Sequence, residues 1–238
     1  MKRIASLLVI AGVSASCQLA SAADISGTVT LKGTPAPEKE ITQVKEDPNC
    51  GKLHKEAVKT RFYVTGANNG LADVYVTLKG VKDKGDPASA PPVVLDQKGC
   101  EYLPYVFAIQ TNQKLLVKNS DPIMHNVHPT PAVQGNKEDN KAQMPNGPDL
   151  PFSFPNPELF MRFKCDVHPW MFAYACVSDH PYSAVTDKDG KYTLKNVPDG
   201  KYTIEVYHRK AAPANAPAKQ EVEVKGGNLT QDFTLEAK

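Results

Sequence analysis

Along most of the chain, apolar and polar residues alternate over short stretches, and no stretch sustains the repeat of an amphipathic helix. The stretches are rich in Val, Thr, Tyr and Ile, and Gly, Pro, Asn and Asp separate them, as is typical of strands joined by turns. The strand candidates are 25–31, 72–78, 114–119, 159–165, 173–177, 191–197, 201–208 and 220–224. The pattern therefore predicts an all-β chain with sandwich or barrel architecture.

The first 22 residues do not fit this pattern and are predicted to be a signal peptide. Two basic residues precede a short apolar run at 4–13, and Ala20-Ser21-Ala22 resembles a signal peptidase site. A lipoprotein signal centred on Cys17 is the alternative, and Ser14 disfavours it because an aliphatic residue is expected there. We expect cleavage near Ala22 and a periplasmic or secreted protein without a membrane span, since no later segment is apolar enough to cross a bilayer.

The charge balance argues against two classes of partner. The predicted signal carries two of the 28 basic residues and none of the 26 acidic ones, so the rest of the chain has equal numbers of both signs. A nucleic-acid or membrane-surface binder would carry a clear basic excess. Neither kind of partner is expected.

One stretch, "KCDVHPWM", carries most of the candidate chemistry. Under two-residue alternation, Leu159, Met161, Phe163 and Cys165 share one face of the strand that leads into it. Pro169 cannot continue a central strand, so the chain is expected to turn there before the next strand begins. The stretch is thus predicted to be a loop between two strands.

This loop could direct three side chains to one point. Cys165, His168 and Met171 are spaced three apart, and His125 follows an Asn-Ser-Asp-Pro turn some forty residues earlier. One thiolate, two imidazoles and a thioether form the ligand set of blue-copper sites, whereas zinc favours further Cys or His over Met. Taken singly, Cys165 is more often a buried core thiol and Met171 more often a packing residue. His128 competes with His125 for the role of first histidine.

At "NSDPIMHN" and "CDVHPWM" the sequence resembles the cupredoxin family, most closely short-loop members such as amicyanin. The resemblance covers roughly residues 92–180 and implies a Greek-key sandwich that holds one type 1 copper ion. The ligands that it implies are His125, Cys165, His168 and Met171. It also implies that Asn126 braces the two ligand loops by hydrogen bonds, and it favours His125 over His128.

The cysteines outside the signal are Cys50, Cys100, Cys165 and Cys176. An oxidising compartment permits a disulfide. If Cys165 binds metal, only one pair can form, and we favour Cys50 with Cys100 because both lie in polar loops. Cys176 is predicted to be a buried strand thiol. The sequence alone leaves this pairing open.

A second resemblance appears at both ends of the chain. The stretch 184–208 has two alternating strands separated by Val-Pro-Asp-Gly and resembles the carboxypeptidase regulatory-like domain, a transthyretin-like β-sandwich. Similar patterns at 25–37 and 220–235 imply that this sandwich is split. The predicted divisions are a signal at 1–22, first strands at 23–91, an inserted copper domain at 92–180, and remaining strands at 181–238. The alternative is two domains in series with a β-rich N-terminal extension.

These observations predict an exported carrier of single electrons rather than an enzyme. Too few histidines remain for a multicopper oxidase, and no catalytic motif is present. The ring edge of His168, framed by Pro169 and Trp170, is the expected electron port and docking surface. The expected partner is a redox protein such as a c-type cytochrome or a periplasmic oxidoreductase. The alternatives are a periplasmic copper carrier and a non-redox cell-surface binding module.

Overall fold

A computed structural model describes residues 22–211 and 217–238, so the signal peptide expected at 1–22 lies outside the described residues except for its last residue. Across these two ranges the chain is nearly all β, as predicted, with seventeen strands, one five-residue helix and two 3-10 turns. Within the same ranges, none of the helices has the length and hydropathy needed to span a membrane.

The elements follow one another from the first described residue to the last. The strands are β1 (Ala22–Lys32), β2 (Tyr75–Lys79), β3 (Val93–Gln97), β4 (Tyr102–Leu103), β5 (Val106–Gln110), β6 (Leu115–Asn119), β7 (His125–Thr130), β8 (Lys141–Gln143), β9 (Leu150–Phe152), β10 (Glu158–Lys164), β11 (Phe172–Ser178), β12 (Ser183–Val185), β13 (Lys191–Pro198), β14 (Gly200–Tyr207), β15 (Ala218–Val224), β16 (Leu229–Thr230) and β17 (Phe233–Glu236). The helix α1 (Thr42–Glu46) and the 3-10 turns Cys50–Leu53 and Ala67–Asn69 lie between β1 and β2.

One sandwich combines strands from both ends of the chain. One of its sheets has the order β13-β1-β16, with β17 also paired to β1, and the other has the order β12-β2-β14-β15. Ile25 of β1 pairs antiparallel with Leu194, and Val29 pairs parallel with Phe233. All four of these side chains lie in one buried apolar core. Because β13 and β14 belong to different sheets, the Val-Pro-Asp-Gly connection leads from one sheet to the other instead of closing a hairpin.

The strands between these two groups form a second sandwich. Its sheets have the orders β5-β11-β10-β7-β8 and β4-β3-β6-β9. The core between them includes Leu95, Val117 and Phe163, all with no exposed surface. Cys165 and Met171 belong to the same core. The predicted ligand loop is therefore anchored in the interior of this second sandwich.

Strand β11 joins the two sandwiches because both of its faces are buried. Ala173 and Ala175 point into the core of the second sandwich. Tyr174 and Cys176 point the other way, where they pack with Tyr75 of β2. Burial raises the pKa of the Cys176 thiol to about 12, so this thiol is neutral, and its position matches the buried strand thiol expected from the sequence.

The alternation predicted for β10 is wrong at its first position. Leu159 is 46% exposed, whereas Met161 and Phe163 are buried. Phe160 has a φ of 52°, and the register with β11 shifts between Glu158 and Met161. This bulge reverses the side-chain alternation on its N-terminal side. The shared face thus begins at Met161 and runs through Phe163 to Cys165.

We expect His208 to make the fold sensitive to acid. Its Nδ1 accepts hydrogen bonds from the backbone N–H groups of Lys210 and Ala211, so this nitrogen carries no proton in the folded chain. Burial, and then the nearby positive charge of Arg209, lower its pKa to about 4. Between about pH 6.5 and 4 the unfolded chain therefore binds a proton that the folded chain does not, so the free energy of unfolding falls as pH falls through this window.

The substitution His208→Asn keeps an acceptor near the Nδ1 position and removes the titrating group. Denaturant unfolding at several pH values measures the effect. Between about pH 6.5 and 4, the free energy of unfolding of the wild type should fall by up to about 1.4 kcal/mol per pH unit more than that of the variant. Above this range the two proteins should show the same pH dependence. Parallel curves for the two proteins across this range would contradict the assignment.

Candidate metal centre

The pairing of three neighbouring strands brings the predicted ligand loops together. Strand β10 lies between β7 and β11, and Lys164 at its end pairs with His128 of β7. His125 is the first residue of β7, so it lies beside the residues that follow Lys164. The loop 165–171 then connects β10 to β11. Two segments about forty residues apart in sequence thus meet at one end of the sheet.

The side chains of three predicted ligands converge inside this end of the sandwich. His125 Nδ1 lies 3.0 Å from His168 Nδ1, and Cys165 Sγ lies 3.6 Å from the same nitrogen. One donor atom from each residue falls within 4.8 Å of the others. All three residues are buried, with exposures of 0%, 2% and 5% for His125, Cys165 and His168.

Met171 is held beside this group by the loop backbone. The N–H of Cys165 donates to the carbonyl of Met171 at 3.0 Å, and the N–H of Met171 donates to the carbonyl of His168 at 2.9 Å. The Met171 side chain is 1% exposed and packs in the same apolar core as Cys165. Its side chain is thus buried in the core that also holds Cys165, and its role as a ligand stays a prediction.

His128, the competitor of His125, points to a different place. Its Nδ1 lies 2.7 Å from a carboxylate oxygen of Asp166, and its Nε2 lies 2.6 Å from one of Glu138. Both ring nitrogens are therefore engaged outside the converging group. The geometry favours His125 as the partner of Cys165 and His168.

The side chain of Asn126 links the two ligand loops. Its Oδ1 accepts the N–H of Asp166 at 2.7 Å and lies 3.3 Å from Cys165 Sγ, while its Nδ2 donates to Asn140 at 2.6 Å. The hydroxyl of Tyr102 adds a second link, since it donates to the backbone carbonyls of Asn126 and Lys164. This is the bracing role that the sequence resemblance implied for Asn126.

The local electrostatics favour a thiolate at Cys165. Burial opposes its ionisation, but polar contacts with the rings of His125 and His168 and with the backbone of Asn126 and His168 outweigh burial and lower the pKa to about 6. Burial likewise opposes protonation of His125, and the contacts with Asp121 and Cys165 outweigh it and raise the pKa of that imidazole. A thiolate next to two imidazoles is a preformed set of donors for a metal ion.

The chemistry of this donor set fits a soft or borderline metal ion. One sulfur and two nitrogens exclude the hard cations Ca²⁺ and Mg²⁺, which prefer oxygen ligands. The separations of His168 Nδ1 from His125 Nδ1 and from Cys165 Sγ, 3.0 and 3.6 Å, suit an ion that lies roughly 2 Å from each atom. A buried His₂Cys set with a methionine nearby corresponds to the copper sites used in electron transfer.

The expectation that the ring edge of His168 reaches the surface is wrong. A cover segment, residues 41–58, lies over it and is tied down by a disulfide between Cys50 and Cys100. One sulfur of each cysteine and a ring nitrogen of His168 lie within 4.8 Å of one another. Val44 and Cys50 of the cover segment pack with Cys100 and Trp170 in a small apolar cluster. The imidazole is buried because this cluster occupies the space in front of it.

The two residues expected to frame the port differ in exposure. Pro169 is exposed, whereas Trp170 is half-buried. The indole of Trp170 lies 5.3 Å from the ring of His168 between centroids, and its Nε1–H donates to the carbonyl of Cys100 at 3.2 Å. Trp170 therefore connects the ligand loop to the disulfide and takes little part in the outer surface.

Sequence reasoning missed two parts of this site. Asp121 is 4% exposed, and one of its carboxylate oxygens lies 2.9 Å from His125 Nε2. The cover segment was missed because α1 has only five residues and no sustained periodicity. The one available signal was the pair Cys50 and Cys100, which was predicted to form a disulfide, but nothing in the sequence placed that disulfide against His168.

No protein-family model and no curated protein sequence matches the chain. Among solved structures it is similar to a copper-containing nitrite reductase from Thermus scotoductus, at 20% identity and a TM-score of 0.34, covering 38% of this chain and 23% of that one. It is also similar to a Cu(I) amicyanin mutant, at 16% identity and a TM-score of 0.33, and the match covers 43% of this chain and 98% of that one. A purple cupredoxin from Nitrosopumilus maritimus matches at 18% identity and a TM-score of 0.31, covering 36% and 99%.

Removal of the disulfide should uncover His168. The two cysteines are 50 residues apart, and loss of such a cross-link costs about 4 kcal/mol in the chain-entropy model. In the double variant Cys50→Ser, Cys100→Ser we expect faster amide exchange in residues 41–58 than in β10 and β11. We also expect His168 of the metal-free protein to react with diethyl pyrocarbonate, as read by mass spectrometry of its peptide.

Cys176→Ala is the matched control, because it removes a buried thiol that takes no part in the disulfide. It should leave His168 unreactive. If the folded double variant also keeps His168 unreactive, the disulfide does not hold the cover segment in place.

Proposed function

We propose that residues 92–180 form a cupredoxin-like domain that binds one type 1 copper ion and carries single electrons. The observation that carries the proposal is the convergence of Cys165 Sγ with one ring nitrogen each of His125 and His168 in a buried pocket. Met171, buried in the same loop, would be the fourth and weakest ligand. When bound, copper supplies a one-electron couple that no amino-acid side chain in this site can supply by itself.

The protein's part is to hold these donors still. Asn126 ties the loop 165–171 to β7, Tyr102 ties β7 to the end of β10, and the loop's own backbone hydrogen bonds fix Cys165 relative to Met171. Burial excludes water from the donors, so solvent has little to rearrange when the charge of the site changes. A rigid and dry donor set favours rapid electron exchange over substrate binding.

Four protein ligands would leave no open position for a substrate, which favours a carrier over an enzyme. The apolar surface beside the site includes Pro169 and Val167, which is 49% exposed. We propose this surface for brief docking of a redox partner, since electron-transfer encounters use small interfaces. The partner class remains a c-type cytochrome or a periplasmic oxidoreductase.

Export to the periplasm or beyond is part of the proposal. The disulfide Cys50–Cys100 supports it, because disulfides persist in oxidising compartments. The sandwich built from the chain ends supplies β2 and β12 as a platform for β11. Its proposed likeness to carboxypeptidase regulatory-like domains implies a scaffolding or docking role and no chemistry of its own.

A copper-handling protein is the second candidate function. The observation that favours it is the cover segment, which keeps the His168 ring away from any partner that approaches from that side. A carrier of copper would release the ion to a chelator or acceptor protein. An electron carrier would keep the ion through repeated oxidation and reduction.

The substitution Cys165→Ser should abolish the intense visible absorption expected of a copper–thiolate bond. Copper-loaded wild type should absorb strongly towards the red end of the visible spectrum, bleach on reduction and regain its colour on oxidation with the metal retained. Visible and electron paramagnetic resonance spectra together with copper analysis provide the measurement.

Cys176→Ala serves as the control and should keep the colour, since Cys176 lies on the face of β11 that points away from the core holding Cys165. A colourless copper-loaded wild type, or an unaltered spectrum in Cys165→Ser, would overturn the metal assignment. Colour that is lost with the metal on each redox cycle would favour copper handling.

A further inference from the structure

The carboxylate of Asp121 is a buried charge that the ligand set does not use. It lies in the Asn-Ser-Asp-Pro turn before β7, where its own N–H donates to Asn119 Oδ1 at 3.0 Å. Its Oδ1 accepts the backbone N–H of Gly99 at 2.6 Å, and its Oδ2 accepts that of Cys100 at 2.7 Å. The same Oδ2 lies 2.9 Å from His125 Nε2. These contacts fix the position of the carboxylate on several sides.

The contact with Asp121 determines which nitrogen of His125 can bind a metal. An ionised carboxylate only accepts hydrogen bonds, so the hydrogen of this contact belongs to Nε2. The neutral imidazole then has its lone pair on Nδ1, the nitrogen that faces His168 at 3.0 Å. Asp121 thereby directs Nδ1 towards His168 and Cys165 and fixes the orientation of the His125 ring.

The charge of Asp121 acts on the centre through a single imidazole ring. Its side chain is 4% exposed, so water and salt screen it weakly. A negative charge on the far side of a ligating imidazole stabilises the more positive oxidation state of a bound ion relative to the less positive one. Hydrogen bonding of Nε2–H to a carboxylate also makes the ligating nitrogen a stronger donor.

We propose that Asp121 is a positioning residue of the metal centre, which selects Nδ1 of His125 as the ligating nitrogen and lowers the reduction potential of the bound copper. The effect on the reduction potential rests on the proposed copper function. The selection of Nδ1 concerns the metal-free protein and does not depend on that function. Because Asp121 also holds the backbone of Cys100, the same carboxylate joins the first histidine to the disulfide of the cover segment.

The first test needs neither copper nor a variant. Ring ¹⁵N shifts of His125 in the metal-free wild type, measured at alkaline pH where the imidazole is neutral, should report a proton on Nε2 and none on Nδ1. A proton on Nδ1, or an even mixture of tautomers, would overturn the selection. This measurement holds its meaning even if the protein binds no copper.

The second test uses the copper-loaded protein and the substitution Asp121→Asn, which removes the charge and keeps an acceptor oxygen. We expect a higher reduction potential and a loss of Cu(II) affinity of about 10–100-fold, with a smaller loss for Cu(I). The matched control is Asp96→Asn, which removes a charge that contacts Ser120 of the same turn at 2.9 Å and does not contact His125. Equal potentials in the two variants would overturn the tuning role, and a wild type without copper colour would count against the proposed function instead.

Discussion

The antiparallel pairing of β7 with β10 is the constraint on which the metal centre depends. Phe163 pairs with Pro129 and Lys164 with His128, which brings the start of β7 beside the loop that follows β10. A slip of one residue in this register would turn Cys165 out of the core. Asn126 locks the register through side-chain contacts to both residues after Lys164. The donor atoms meet because the strands are fixed, before any ion is considered.

Two layers of packing protect this arrangement. Behind the site, β11 is buried on both faces, so the loop that ends at Met171 continues into a strand held by both sandwiches. In front of it, the cover segment and its disulfide fill the space next to His168. Asp121 lies between these regions and contacts both Cys100 and His125. The centre is therefore an interior site, with Val167 and Pro169 exposed beside it.

The sequence allowed the fold class and most of the donor set to be predicted, because both depend on local patterns. Two-residue alternation marks strands, and the spacing of Cys165, His168 and Met171 is visible within one loop. The bulge at Phe160 was not predictable, since a left-handed residue leaves no mark on the polarity pattern. The burial of His168 was not predictable either. It depends on the disulfide of Cys50, which lies more than 100 residues away in sequence, and single-sequence patterns carry no information on such contacts.

Strand β1 has a consequence for the order in which the molecule can form. Its partners are β13, β16 and β17, and the hydroxyls of Thr30 and Thr234, 204 residues apart along the chain, lie 3.1 Å from each other. Apart from an isolated bridge of Thr30 to Gly70, the strand therefore stays unpaired until nearly the whole chain is available, whereas the hairpin of β10 and β11 can close at once. Pairings over such long separations form late and slowly. During synthesis the first sandwich to be encoded is thus the last to be completed, and β1 is an open strand edge that is vulnerable to aggregation in the meantime.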